Sequence, residues 1–226
     1  MIGKVAIALL SAGLLAACQP SAPDEPKAPD AVSPARTAVI ASGAPVLNAE
    51  YGVSAVFPTG SRVCEALSGE HPHGFYTRLG DPEMDCVPSR DPPKVSSMLI
   101  WADYNAASQS VEEMGDPTCP NRNVRAPDGT PLGFPGHDSM ACETRLANGD
   151  VQVSVRTHLG TQVDNFTGPN SDETRTTPRF VYTAWLHTTT RTEAADKAVF
   201  RQLLNTVALS VLETPSDGDA PHLRGS

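Results

Sequence analysis

The chain has 226 residues, of which 39% are hydrophobic and 5% aromatic, with 21 prolines, five cysteines and a formal net charge of -9. This composition supports one modest soluble core plus unstructured sequence, and it excludes a multi-span membrane protein. The acidic balance leaves little to neutralise phosphates, which excludes nucleic acid as a partner, and the odd cysteine count gives one thiol a separate task.

Residues 1–17 have the layout of a secretory signal. Lys4 supplies the n-region charge, and Val5 to Leu15 is an apolar run too short to span a bilayer. The run closes as Leu15-Ala16-Ala17-Cys18, which resembles the bacterial lipobox. That resemblance implies cleavage before Cys18, diacylation of its thiol and acylation of the new amine. Each buried methylene adds about 0.8 kcal/mol, so two or three acyl chains anchor stably where one does not. Gln19 stands where enterobacterial lipoproteins retained in the inner membrane have Asp. The expected location is therefore the outer membrane, with the domain facing the periplasm and the lipid as its membrane contact.

Residues 18–46 carry the lipidated cysteine and then a Pro/Ala-rich stretch, with Pro20, Pro23, Pro26, Pro29, Pro34 and Pro45 and no aromatic side chain after Cys18. Such a segment cannot form a core and reads as a disordered, semi-rigid tether reaching about 80 Å at most. The folded domain is expected over 47–212, and residues 213–226 read as a polar tail.

Within the domain, Tyr51, Val53, Ala55 and Phe57 alternate as a strand that Pro58 and Gly60 end. A second strand is expected over 95–104, with Met98, Ile100, Ala102 and Tyr104 on one face. Ser110 and Glu113 have capping-box spacing, which predicts a short helix over 110–115. Residues 139–158 read as a hairpin turning at Asn148-Gly149, a type I′ pair, with Val151, Val153 and Val155 on one face. Residues 160–178 read as an exposed polar loop. Phe180 to Thr189 is the next strand. Thr190 and Glu193 form another capping-box pair, and Ala195, Val199, Phe200, Leu203, Leu204 and Val207 predict an amphipathic helix within 191–210. Lys197 and Arg201 fall on its charged side.

This order is similar to the PsbP-like family, which includes the DcrB lipoproteins. The likeness is carried by an opening strand from Tyr51-Gly52-Val53 to Phe57-Pro58 and by a closing strand and helix running Ala194-Ala195-Asp196 to Asn205-Thr206-Val207. It implies an α+β fold in which an antiparallel sheet is flanked by helices, an α/β/α sandwich, here stapled by disulfides. That fold carries no chemistry of its own.

After Cys18, the remaining cysteines are Cys64, Cys86, Cys119 and Cys142, an even set suited to an oxidising compartment. Four cysteines allow three connectivities. Sequential pairing, Cys64 with Cys86 and Cys119 with Cys142, is favoured because each pair then brackets a segment too rich in Pro, Gly and His to fold alone. Each closed loop is worth about 3 kcal/mol.

The first bracketed loop contains His71-Pro72-His73-Gly74-Phe75-Tyr76-Thr77-Arg78. His71, His73, Phe75, Tyr76 and Arg78 are candidate partner contacts, because aromatic and arginine side chains concentrate at binding hot spots. Two histidines at i and i+2 share a face of an extended segment, but a metal site needs a third ligand from Asp81, Glu83, His137 or His158, and no zinc-type spacing supplies one. Metal binding is therefore not expected, and no cofactor is. His137-Asp138-Ser139 has the residue types of a hydrolase triad without a nucleophile elbow, so no catalytic residue is assigned. The expected function is a non-catalytic binding module. It would capture a basic periplasmic protein or an envelope polymer, for instance as an immunity or inhibitor protein against a toxin or cell-wall hydrolase. The alternatives are an accessory subunit of an envelope complex and, behind it, a periplasmic hydrolase or metal-binding protein.

Overall fold

Alternating apolar and polar side chains build a six-stranded sheet with two unlike faces. The computed structural model describes residues 43, 45–68, 71–86, 95–167 and 172–210. The lipobox with Cys18, most of the proline-rich segment and the C-terminal tail lie outside the described residues. In chain order the elements are β1 (Pro45–Asn48), β2 (Val53–Val56), β3 (Val63–Ser68), β4 (His71–Arg78), β5 (Ser97–Tyr104), β6 (Met140–Arg145), β7 (Val151–Leu159), β8 (Gln162–Thr167), β9 (Asp172–Thr177), β10 (Phe180–Thr188), α1 (Glu193–Thr206) and β11 (Ala208–Leu209). β1 begins inside the stretch that the sequence reads as tether.

The large sheet has the order β3-β4-β5-β10-β7-β6 and is antiparallel throughout. One face is the core. Met98, Ile100 and Ala102 of β5, Val151, Val153 and Val155 of β7, and Tyr182, Ala184 and Leu186 of β10 are all at most 1% exposed. Burying each large apolar side chain contributes about 1.5–3 kcal/mol. Three pieces cover this face, one being the loop that carries Val124, Ala126, Leu132 and Phe134, and the other two being regular elements. The elements are α1, through Phe200, Leu203 and Leu204, and a small sheet, β1-β2-β11, through Val46, Val53 and Ala55. The Tyr182 hydroxyl donates to the Tyr51 carbonyl at 2.6 Å, and burial pushes its pKa up to about 12, so it stays a neutral donor joining the two sheets. Thr206 ties α1 to β2, accepting from the Val56 N–H at 2.9 Å.

An antiparallel sheet, a helix and two disulfides are thus present. The disulfides join Cys64 to Cys86 and Cys119 to Cys142. Among the described residues there is one helix, on one face, so a helical layer on each side of the sheet is not seen. No described helix is long and apolar enough to cross a membrane.

Several local expectations change. The predicted helix over 110–115 is a single turn. Its capping box does form, Ser110 N donating to Glu113 Oε2 at 2.7 Å and Glu113 N to Ser110 Oγ at 3.2 Å, but Gly115, Asp116 and Pro117 stop propagation after one turn. The hairpin at Asn148-Gly149 is not type I′. Gly149 alone has positive φ, at 88°, and Gly149 N donates to Leu146 O. This is a longer turn with glycine in the left-handed position. Residues 160–178 are not a loop but the β8–β9 hairpin. Its side chains are largely exposed on both faces, Val163 at 62%, so it offers no apolar alternation to read. The segment 71–78, read as loop, is strand β4. Its Pro72 falls at a bulge against β3 and outside the β4–β5 ladder, which runs from Gly74 to Arg78.

The closing helix starts later than the Thr190–Glu193 box. Thr192 is its N-cap, without a side-chain cap bond, and Glu193 turns to Lys197 instead. Ala195 is exposed, whereas Asp196 and Lys197 are buried. The charged side expected at Lys197 is therefore part of the packing surface. Asp196 Oδ2 accepts from the Ser96 and Thr188 hydroxyls at 2.5 Å.

Candidate functional site

Directly opposed residues in antiparallel strands share a face. Applying this to the large sheet gives one row across all six strands: Cys64, Tyr76, Leu99, Trp185, Ser154, Cys142. This row lies on the face away from the helix. It begins and ends at a half-cystine, each on an edge strand. Cys64 ties the segment ending at Cys86 to β3, and Cys119 ties its own segment to β6 through Cys142. The two disulfides therefore tie a segment to each edge strand, and the one ending at Cys119 walls the open face.

Between the two edge strands lie both tryptophans of the chain. Trp101 and Trp185 stand on the central strands β5 and β10 and are half-buried. Three adjoining depressions meet at Trp185. The largest, about 440 Å³, is floored by Ser154, Gln152 and Trp185 and walled by Met114, Asp116 and Arg122. A second reaches toward Trp101 and Tyr104, and a third toward Leu99 and His187.

The wall is fixed by buried polar bonds. Asn105 Nδ2 donates to the carbonyls of Gln109 and Pro178, both at 2.8 Å. Below it, Arg156 of β7 donates through Nη1 to Met114 O. Among the described residues no carboxylate comes within ion-pair distance of Arg156 or Arg122, and Arg122 Nη2 donates to the Asp116 carbonyl at 2.7 Å. The Asp116 carboxylate is held below its usual range, first by hydrogen bonds from the Thr118 side chain and backbone and then by the fields of Arg122 and Arg156. It is occupied locally, which leaves most of the guanidinium donors open.

The residues singled out from sequence are dispersed by the fold. Phe75 is a core residue, 4% exposed, facing the helix side, so it presents no surface to a partner. Tyr76 is on the open face, in the row described above. Burial raises its phenol pKa, against the fields of Arg78 and Arg62. Arg78 reaches Asp81 at 3.8 Å. His71 is exposed at the start of β4. His73 stacks on Trp101, ring centroids 4.8 Å apart, and its Nδ1 faces Asp103 Oδ1 at 2.7 Å. Its Nε2 lies 3.5 Å from the Tyr51 hydroxyl. That Asp–His–Tyr chain has the order of a proton relay, but Tyr51 is 2% exposed and burial pushes its pKa up to about 12, so it is no accessible nucleophile. Ser139 is spent on its own loop, accepting from Phe134 N and donating to His137 O. Among the described residues no three His, Cys, Asp or Glu side chains gather as a metal would require.

Trp101, Trp185, Gln152, Ser154 and Arg156 escaped the sequence reading. A usable signal was present. In both central strands a tryptophan occupies the register opposite the core run, where a one-sided sheet carries polar residues.

Comparison with protein-family models gives no match, and comparisons with curated proteins and with solved structures give none either.

Proposed function

We propose that this chain is an envelope-anchored lipoprotein whose folded domain is a non-catalytic binding module working through its open sheet face. One observation carries the reading: among the described residues a large sheet is sealed on one face only, with both tryptophans on the other, in a concavity walled by the segment that the Cys119–Cys142 disulfide pins. Aromatic side chains in a preformed concavity with a few convergent polar groups are the usual makings of a binding site. The anchor rests on the lipobox reading of Cys18 and places the module in the periplasm. An immunity or inhibitor protein is one form such a module takes, and an accessory subunit of an envelope complex is another. The PsbP-like sandwich belongs to the same proposal. A closing strand followed by an amphipathic helix supports it, and the open face, which carries no helix among the described residues, departs from it.

The test compares three baits of matched stability against envelope extract. Wild type and Ala195→Arg, altered on the exposed side of α1, are expected to retain the same component, and Trp185→Arg is expected to lose it. Equal retention by all three overturns the assignment to this face.

A further inference from the structure

Resting on that assignment of the open face, we propose that the cleft at Trp185 takes an acidic glycan, a sugar ring lying on the indole and a sugar carboxylate held by Arg156 with Arg122 at the rim.

The floor of the cleft sets open hydrogen-bonding groups beside apolar surface. Among the described residues the side chains of Thr144, Gln152 and Ser154 engage in no hydrogen bond, and all three line it. Thr144 is opposed to Gln152, and Gln152 and Ser154 are consecutive same-face residues of β7. These groups supply both donors and acceptors at fixed sheet spacing. Trp185 adds a flat, rigid ring, which favours a ligand that has a planar apolar side and polar edges. A polyhydroxylated ring has that shape. A protein partner's apolar hot spot would instead leave these three polar side chains buried and unpaired, at a cost for each.

The charge selects within sugars. The chain is acidic, at -9, yet the cleft holds two guanidiniums against one carboxylate, and that carboxylate is already bonded to Thr118. The local sign is positive on a negative protein. Arg156 spends one donor on Met114 O, which sets its plane and leaves the rest of the fork for a carboxylate.

Because both tryptophans are on this face, intrinsic fluorescence reports on it directly. The probes are a short galacturonate oligosaccharide, a neutral maltooligosaccharide and poly-L-glutamate. The galacturonate oligomer is expected to give a saturable change, at least about tenfold tighter than the neutral sugar and weakened by added salt. Arg156→Gln should weaken it about tenfold or more, Arg156→Lys should weaken it less, and Trp185→Phe should weaken it while Trp101 still reports. Unfolding midpoints matched to wild type show that each variant is folded. No saturable response to galacturonate, equal binding of poly-L-glutamate, or no effect of Arg156→Gln each overturns the glycan assignment. If galacturonate fails while Trp185→Arg still loses the envelope component, the face stands and the ligand class falls. If both fail, the reading of the face falls as well.

Discussion

Lys197 is the side chain whose role changes most between pattern and fold. Its ammonium lies 2.6 Å from Glu143 on β6 and 2.8 Å from Glu193 one turn back on α1, with side-chain exposures of 11%, 17% and 21%. Arg145 joins Glu193 at 3.2 Å. Burial works against the charged amine, but the hydrogen bonds to Glu143 and Glu193 outweigh it and raise the Lys197 pKa. Glu193 is held below its usual range, first by the Lys197 hydrogen bond and further by Arg145, with burial opposing. Lys197→Met removes the cation and leaves two carboxylates facing each other. An exposed pair is worth at most about 1 kcal/mol, and breaking a fully buried one costs about 3–5 kcal/mol. These exposures lie between the limits, so the expected loss is about 2–3 kcal/mol, or roughly 5–10 °C in Tm for a domain of this size. Urea unfolding followed by tryptophan fluorescence measures it. Adding Glu143→Gln should recover part of the loss by removing one orphaned charge. The Glu193 contribution is present above the usual carboxylate range and disappears as pH falls through its lowered value. The Lys197 contribution is present below the usual amine range and disappears as pH rises through its raised value. Both are therefore in force at neutral pH. A loss under about 0.5 kcal/mol would refute the reasoning, because it is what a solvated surface lysine gives.

Three further perturbations probe the frame of the site. A Cβ at Gly74 would lie 1.8 Å from the Ile100 carbonyl oxygen, so Gly74→Ala should force β4 off β5 and lose about 2 kcal/mol or more in the same denaturation assay. Replacing Cys119 and Cys142 together by Ser should cost about 3 kcal/mol by the chain-entropy account, and it should change the tryptophan emission, since the freed segment walls the cleft at Trp185. Burial, followed by the field of Arg156, lowers the His158 pKa from its usual 6.5. The unfolded chain then binds that proton first, so stability falls as pH drops below about 6.5 and levels off below the lowered value. The drop in Tm between neutral and mildly acidic pH should shrink in His158→Gln.

The large sheet was legible where one face is buried and the other is not. Val151, Val153 and Val155, and likewise Phe180, Tyr182, Ala184 and Leu186, show a clean period of two because each set meets the same core. Legibility failed where tertiary contacts replaced local pattern. β4 hides behind Pro72 and Gly74, which are tolerated at a bulge and at a close backbone approach. β8 and β9 are largely polar on both faces and carry no period. Asp196 and Lys197 look like surface charges on the helix and are buried because Ser96, Thr188 and Glu143 come from distant strands to satisfy them. Three cysteine pairings were open in the sequence, and the favoured sequential one is the pairing found, but its consequence was not readable. That the two bridges end one transverse row, with Trp185 between them, depends on strand order, which no local signal encodes. The candidate site was missed for the same reason. Trp101 and Trp185 lie far apart in sequence and become neighbours only when β10 inserts between β5 and β7.

If the open face is the binding surface, it meets the partner and the helix side does not. A photo-crosslinking amino acid placed at Gln152, on the cleft floor, and separately at Ala195, on the exposed side of α1, tests this in intact cells that express the full chain. A discrete adduct is expected from position 152 and none from position 195. An adduct from 195 alone, or the same adduct from both, would contradict it.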